Sequence, residues 1–205
     1  LRWAKSRGIP VTAEVTPHHL ILTEELARSY DARYKVNPPL RRESDVLALR
    51  AAVADGTIDI IATDHAPHPV EAKDCEWDAA AFGMVGLESA LPVAQATLVA
   101  NGHASWAELE RLLSAKPAEI GRLSGHPTAL DAGQPADLVL VDPSGVSAFG
   151  PEKLRGLSAN SPFLGMELPG RVHTTIRRGV ITLDDGELAD SAAVAAAAQG
   201  RGSAA

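Results

Sequence analysis

The sequence predicts an α/β fold in which parallel strands joined by a helix precede a smaller β-rich region. Residues 9–15 are predicted as a strand, 45–54 as a helix and 57–63 as a second strand, and this order makes the two strands parallel neighbours. The second strand ends abruptly in Asp64, which is followed by two histidines. A strand that delivers a carboxylate and imidazoles at its C-terminal end is typical of barrel enzymes.

Local signals define the elements around these strands. Gly8 is a suitable cap for an opening helix, and the prolines of residues 37–39 force an extended loop because they push the preceding residue out of the α region. Ser44 is predicted to cap the helix at 45–54, with Gly56 as its stop. The polar, acidic stretch after the second strand, 69–81, is predicted as a long loop over the site.

The second half of the chain changes from helical to β texture. Three helices are predicted, at 87–100, 106–113 and 117–123. Ser105 and Glu108 form a capping box at the start of the second of them. Beyond Gly125 the chain has two β-like runs, 136–141 and 171–183, and Arg178-Gly179 within the latter is a hairpin signal.

Length and charge narrow the class of protein. A complete (β/α)8 barrel needs about 250 residues, so the 205 residues, which open on Leu1, are expected to be the C-terminal part of a longer enzyme. A net charge of −7 without a basic cluster argues against nucleic-acid binding, and the apolar runs are too short for a membrane span. The single cysteine, Cys75, excludes an internal disulfide framework and suits a reducing cytoplasm.

Five motifs occur along the chain: VTAEVTPHHL at 11–20, KVNPPLR at 35–41, TDHAPH at 63–68, FGMVGLE at 82–88 and GQPADLVL at 133–140. In order and spacing they are similar to the dihydroorotases of the cyclic-amidohydrolase superfamily. The resemblance implies the C-terminal part of a (β/α)8 amidohydrolase (TIM) barrel over residues 1–125. Part of a small β subdomain follows over 126–188. The tail over 189–205, rich in alanine with glycine and serine, is expected from its composition to be disordered or a frayed helix.

The resemblance also implies a function. Dihydroorotases are zinc-dependent and interconvert N-carbamoyl-L-aspartate and (S)-dihydroorotate, a small-molecule substrate, in de novo pyrimidine (UMP) biosynthesis. One or two Zn²⁺ ions are implied, with most of their ligands upstream of Leu1, so this chain alone is expected to be inactive. A homodimer and an association with aspartate transcarbamoylase are family properties that the sequence leaves open.

Site residues are carried over from the resemblance by position. Asp64 matches the family's metal ligand and catalytic acid/base, a role in which one carboxylate collects a proton from water and passes it to the leaving nitrogen. His68 matches the residue that contacts the carboxylate of dihydroorotate, and Asn37 matches a substrate-contacting asparagine. Phe82 and Gly83 match a site where backbone groups contact the pyrimidine ring, and glycine permits that close approach.

The other histidines receive weaker interpretations. His65 is expected either to orient the loop beside the metal or to serve as a structural imidazole. His18 and His19 follow a strand end, yet the family's ligand histidines lie on earlier strands, so structural or supporting roles are favoured. Three further histidines have no partner in the pattern and are expected on the surface or in the core: His103, His126 and His173.

Two other functions stay open. The first is another cyclic amidase, an allantoinase or a dihydropyrimidinase, although His68 and the NPPLR motif favour a substrate with a carboxylate. The second is a non-catalytic dihydroorotase-like subunit that scaffolds aspartate transcarbamoylase. Such subunits tend to lose metal ligands, and the retention of Asp64 argues against this alternative.

Overall fold

Two sheets organise the chain, one small and parallel, the other larger and antiparallel. The structure is a computed structural model that describes residues 1–125 and 130–202. The α-helices are α1 (Arg2–Ser6), α2 (Glu43–Ala54), α3 (Ala90–Ala94), α4 (Trp106–Glu110), α5 (Lys116–Ile120) and α6 (Ser191–Gly202). The strands are β1 (Glu14–Val15), β2 (Ile60–Ile61), β3 (Leu138–Ala148), β4 (Glu167–Arg177), β5 (Val180–Asp184) and β6 (Glu187–Leu188).

The parallel pairing of β1 with β2 confirms the predicted strand–helix–strand unit. Glu14 pairs with Ile60 and Val15 with Ile61. Both strands are much shorter than the runs predicted at 9–15 and 57–63. One reason is that a side chain replaces part of the ladder: the Asp59 carboxylate accepts the N–H of Ala13 at 2.8 Å. The same carboxylate is held by Lys5 of α1, whose Nζ lies 2.7 Å away.

The helix between these strands begins earlier than predicted. Helix α2 starts at Glu43, and the backbone N–H of Arg42 donates to the Asp45 carboxylate at 3.2 Å. Ser44 is therefore not the N-cap; it lies in the first turn, because Asp45 stands three residues after Arg42 and reaches back to it. The predicted stop is confirmed, since Gly56, which follows the C-cap residue Asp55, has a φ of 76°.

The later helices run together more than the sequence suggests. A π-helical turn, Gln95–Val99, extends α3, and another, Arg111–Ala115, joins α4 to α5. The predicted break between 106–113 and 117–123 is therefore absent. Pro117 lacks the N–H that an α-helix would direct at the residue four positions back, and the wider π turn lies directly before α5. The capping box is confirmed, because the Glu108 carboxylate accepts the Ser105 N–H at 2.6 Å.

The antiparallel sheet has the order β3-β4-β5-β6. The hairpin predicted at Arg178-Gly179 is confirmed: both residues have positive φ, 47° and 74°, as a type I′ turn requires. Strand β3 continues to Ala148 and β4 begins at Glu167, so both exceed the predicted runs. In the tail, expected to be disordered or a frayed helix, Ser191–Gly202 form α6, which agrees with the helical alternative. The domain boundaries themselves stay a prediction.

Two hydrophobic clusters hold these parts together. The first packs β1 and β2 against α2 and the later helices; its buried members include Val15, Val53, Ile61, Leu98 and Leu109. The second joins the loops after β1 and β2 to the segment between β3 and β4; its buried members include Val36, Leu40, Met84, Phe149 and Phe163. Among the described residues, none of the helices has the length and apolar character that a membrane crossing requires.

The start of α2 gives a direct test of the capping assignment. Asp45→Ala should lower the free energy of unfolding by about 0.5–1 kcal/mol, because it removes the acceptor of the Arg42 N–H and a negative charge near the N-terminus of the helix. Ser44→Ala should be neutral or slightly stabilising, since Ser44 is exposed and alanine favours the helix. Thermal unfolding of the two variants side by side measures this. A larger loss for Ser44→Ala would contradict the assignment.

Candidate active site

The end of β2 presents an uncommitted carboxylate. Ala62 still donates to the Val15 carbonyl at 3.0 Å, and the chain then leaves the sheet. Asp64 has a φ of 49°, a left-handed conformation that aspartate tolerates better than most residues. Its side chain is exposed, and within the described chain it makes neither a hydrogen bond nor an ion pair. Asp64 is thus free to act on a ligand at this strand end.

His65 fastens the strand end to the segment that follows the long loop. Its Nδ1 accepts the N–H groups of Gly86 at 3.1 Å and Leu87 at 3.3 Å. The neighbouring Ala66 N–H donates to the Met84 carbonyl at 3.0 Å. These contacts favour the loop-orienting interpretation of His65, since the nitrogen that accepts two backbone N–H groups is occupied.

His68, Phe82 and Gly83, predicted separately, lie in direct contact. The His68 Nε2 is 2.8 Å from the Phe82 carbonyl oxygen. A carbonyl only accepts, so Nε2 carries the proton and Nδ1 is the ring nitrogen left for a ligand. Gly83 has a φ of 122°, and a Cβ there would lie 2.6 Å from the Ala66 Cβ and 3.1 Å from the His68 Nε2. Only glycine fits this position.

The backbone of Gly83 is already committed to protein partners. Its N–H donates to the Lys35 carbonyl at 2.9 Å, and its carbonyl accepts from the Lys73 Nζ at 2.8 Å and from the Asn160 Nδ2 at 3.3 Å. The N–H of Phe82, in contrast, has no hydrogen-bond partner among the described residues, and its carbonyl has one lone pair left beside His68. Of the two residues, Phe82 is therefore the one with backbone groups to offer a ring.

Asn37 lies in a loop that is fixed on both sides, although no contact joins it to Asp64 or His68 in the described part of the chain. Two residues before Asn37, the backbone carbonyl of Lys35 accepts a hydrogen bond from the N–H of Gly83. On the other side the Pro38 carbonyl accepts from the His19 Nε2 at 3.0 Å, while the His19 Nδ1 lies 2.6 Å from the Thr16 Oγ1 beyond β1. His19 therefore serves as a structural link, and the exposed Asn37 amide stays available.

Two lysines that the sequence analysis missed organise the long loop. The Lys35 Nζ donates to the Trp77 carbonyl at 2.6 Å and lies 4.6 Å from the centre of the Phe82 ring. The Lys73 Nζ donates to the carbonyls of Ala81 and Gly83, each at 2.8 Å. Burial, and then the charge of Lys35, lower the pKa of Lys73. No spacing rule marks these residues, because their partners are backbone carbonyls of an irregular loop.

A depression of about 240 Å³ adjoins part of this site. It reaches His68, Lys73 and Asn160 but neither Asp64 nor Asn37. The charged pair Asp31–Arg33 in its wall is internally satisfied, with Nη2 and Oδ2 2.6 Å apart. A ligand that touched all of the predicted site residues would therefore lie outside the depression, toward the strand end.

A metal requires more donors than the described chain assembles. The described residues contain no group of three or more histidine, cysteine, aspartate or glutamate side chains that could hold an ion. The ring centres of His18 and His19 lie 4.5 Å apart with the ring planes tilted by 48°, yet no acidic partner in the described part of the chain completes a site. Asp64 is the candidate donor, and the remaining donors of a three-ligand site would have to come from outside the described residues.

The remaining histidines show no site role. His103 is half-buried, and its ring has no hydrogen-bond partner in the described chain. His173 lies on β4, where its Nδ1 is 2.8 Å from the Thr174 Oγ1. His126 lies outside the described residues. These contacts agree with the expected surface and structural positions of His103 and His173.

Known proteins place the chain in a broader context. A sequence profile of the amidohydrolase family matches residues 3–182. The dihydroorotase of Leifsonia xyli subsp. xyli is 65% identical over 191 residues, which cover 93% of this chain and 44% of that protein. The dihydroorotase of Streptomyces coelicolor is 61% identical over 188 residues, covering 92% of this chain and 44% of that protein. The chain thus spans less than half the length of these relatives.

Solved structures give the same fold. The L-hydantoinase (dihydropyrimidinase) from Arthrobacter aurescens superposes with a TM-score of 0.85 and 31% identity, covering 92% of this chain and 42% of that one. The D-hydantoinase (dihydropyrimidinase) from Thermus sp. superposes with a TM-score of 0.81 and 25% identity, covering 93% of this chain and 43% of that one. The predicted fold class, part of an amidohydrolase barrel followed by part of a small β subdomain, is confirmed.

His18 should make the fold sensitive to acid. Burial, and then the proximity of His19, lower its pKa to about 3 from 6.5, and its Nε2 has no hydrogen-bond partner. The unfolded chain therefore binds one more proton than the folded protein between these values, and stability falls as the pH drops, by up to about 1.4 kcal/mol per pH unit. His18→Leu should flatten this dependence.

Urea unfolding of the natural protein that contains this chain, at about pH 5 and about pH 8, measures the effect. The stability difference between the two pH values should shrink in His18→Leu and stay unchanged in the control His103→Leu. An equal change in both variants would show that His18 is not the buried neutral group described above.

Proposed function

Because the chain belongs to the amidohydrolase family, we propose that it forms part of a zinc-dependent dihydroorotase. The enzyme interconverts N-carbamoyl-L-aspartate and (S)-dihydroorotate in pyrimidine synthesis. The observation that carries the proposal is the hydrogen-bonded unit of His68, Phe82 and Gly83 near the strand end that bears Asp64. The names of the 65% and 61% identical relatives support it.

The free groups of the site match the substrate. Dihydroorotate is a ring with amide N–H and C=O groups and one carboxylate. The Phe82 N–H offers a donor to the dihydroorotate ring. The exposed Asn37 amide offers it both a donor and an acceptor. The His68 Nε2–H is held by Phe82, so the imidazole meets the carboxylate through Nδ1–H, which exists only in the doubly protonated ring. This charge-assisted contact selects a ring that carries a carboxylate.

Asp64 carries the proton in this proposal. Opening a cyclic amide needs a proton for the departing nitrogen, and an exposed carboxylate without protein partners can accept one from the attacking water and deliver it there. Zinc, as one or two ions, supplies a nucleophilic water at neutral pH in such enzymes. The described residues provide Asp64 and no complete donor set, so the expectation that this chain alone is inactive stays part of the proposal.

The rival functions differ in what they would bind. The hydantoinase and dihydropyrimidinase structures superpose well on this chain. A cyclic substrate without a carboxylate, however, would leave the Nδ1 of His68 without an anionic partner. A scaffold subunit without activity has no need of an uncommitted Asp64. Assay of the natural protein that contains this chain on dihydroorotate, allantoin and dihydrouracil separates the three. Preferential turnover of allantoin or dihydrouracil would overturn the proposal, as would inactivity on all three with metal bound.

Location and partners complete the proposal. A cytoplasmic location fits Cys75, which is exposed and unpaired. The homodimer and the association with aspartate transcarbamoylase rest on the resemblance to dihydroorotases alone.

The first mutational prediction concerns Asp64. In the natural protein that contains this chain, Asp64→Ala should lower kcat by at least about a thousandfold, because one change removes both a metal ligand and the proton carrier. Asp78→Ala, an exposed aspartate on the loop after the same strand, is the matched control and should stay within about twofold of the parent. Near-normal turnover of Asp64→Ala with full metal content would refute the role.

The second mutational prediction concerns His68. His68→Ala should raise the KM for dihydroorotate about ten- to a hundredfold, the cost of one charge-assisted hydrogen bond, and should leave the metal content unchanged. The preference for dihydroorotate over dihydrouracil, the same ring without the carboxylate, should narrow by a similar factor. His103→Ala serves as the control. Loss of zinc from His68→Ala would make this histidine a metal ligand instead.

A further inference from the structure

Asn160 connects the two loops that carry the candidate substrate contacts. It lies between β3 and β4, far along the chain from both loops, and is only 5% exposed. Its Oδ1 accepts the backbone N–H of His68 at 3.2 Å. Its Nδ2 donates to the carbonyls of Ala66 at 2.9 Å and Gly83 at 3.3 Å. Its own backbone carbonyl accepts the N–H of Val85 at 3.2 Å.

The identity of the side chain follows from these partners. An N–H needs an acceptor and two carbonyls need donors, so the orientation of the amide is fixed by its surroundings. Aspartate would supply the acceptor but no donors. Alanine would leave the His68 N–H and the Ala66 carbonyl without partners, while the Gly83 carbonyl would keep its bond from the Lys73 Nζ. Asparagine is the residue that satisfies all three from this distance.

We propose that Asn160 is a positioning residue of the active site. By holding His68 and Gly83 at a fixed separation, it keeps the Nδ1 of His68 and the N–H of Phe82 in register for one ligand. The inference rests on the proposed function for the identity of that ligand. Without the amide, His65 and Ala66 would still join the two loops. The bond from the His68 Nε2 to the Phe82 carbonyl would, however, be the one hydrogen bond left to His68 itself among the described residues.

The segment around Asn160 has its own anchors, so loss of the amide should not unfold it. Ser161 is 1% exposed, and its Oγ accepts the N–H of Phe163 at 3.2 Å. Phe163 is also 1% exposed and belongs to the second hydrophobic cluster. Ser161→Ala is therefore the matched control: it removes a buried hydrogen bond from the same segment but none from the site loops.

Hydrogen–deuterium exchange tests the link without any assumption about the substrate. In the natural protein that contains this chain, Asn160→Ala should speed exchange in a peptide covering 64–69 by at least about tenfold, because the His68 N–H loses its acceptor. Exchange at Val85 should change little, since it uses the backbone carbonyl of Asn160. Asn160→Asp keeps the acceptor and should keep the His68 N–H protected, which provides a second variant if alanine impairs folding.

Kinetics then test the positioning role. Asn160→Ala should raise the KM for dihydroorotate about tenfold with kcat within about threefold of the parent, while Ser161→Ala leaves both near normal. In the double variant, the rise in KM should be smaller than the product of the rises in the Asn160→Ala and His68→Ala single variants, because both changes act on one contact.

The possible outcomes separate the two proposals. Unchanged exchange at 64–69, or an unchanged KM despite faster exchange, would overturn the role of Asn160. An equal rise in KM for Ser161→Ala would do the same, since the effect would then be structural. If the parent protein does not turn over dihydroorotate, the proposed function fails, while the exchange experiment still decides whether Asn160 holds the two loops together.

Discussion

The parallel pairing of β1 with β2 is the interaction on which the site depends. Parallel strands end at the same edge of a sheet, so this pairing brings the loops after Val15 and after Ile61 to one place. Asp59 reinforces it by taking the N–H of Ala13 and the ammonium of Lys5, an ion pair that is mostly buried. Every candidate site residue then lies either on these two loops or on a segment fastened to them.

The loops themselves contain little regular structure, and polar side chains rather than neighbouring strands form hydrogen bonds with their backbone groups. Backbone groups away from water need partners, and here those partners are His19, His65, Lys35, Lys73 and Asn160. His19, His65, Lys35 and Asn160 join segments that are distant in sequence, so these loops are held by their neighbours. Lys73 instead ties the long loop to its own end, through the carbonyls of Ala81 and Gly83. Rigid loops without internal ladders can still present free groups, as the Phe82 N–H and the Asp64 carboxylate do.

The sequence predicted the parts of the structure that local rules govern. The parallel unit, the stop at Gly56, the capping box of Ser105 and the hairpin at Arg178-Gly179 all follow from residue types at fixed spacing. The cap of α2 was misassigned because two side chains competed for that role and aspartate reached the free N–H of Arg42. The merging of α4 with α5 was missed because a π turn accommodates Pro117 in a way that helix propensity does not describe.

The candidate site was only partly predictable for the same physical reason. Motif resemblance selects residues that face a ligand, and His68, Phe82 and Gly83 do come together. It gives no signal for a side chain that supports them through backbone groups, since Asn160 and Lys73 are recognisable only once the chain has folded around them.

The sequence likewise does not show that the adjacent residues Phe82 and Gly83 have different roles. Gly83 is required for close packing against Ala66 and His68, and its backbone N–H and carbonyl are both hydrogen-bonded to other residues of the protein. Phe82 beside it keeps its N–H free and places its ring over the ammonium of Lys35. Gly83 therefore has a structural role in the site, while the backbone N–H of Phe82 remains available to a ligand.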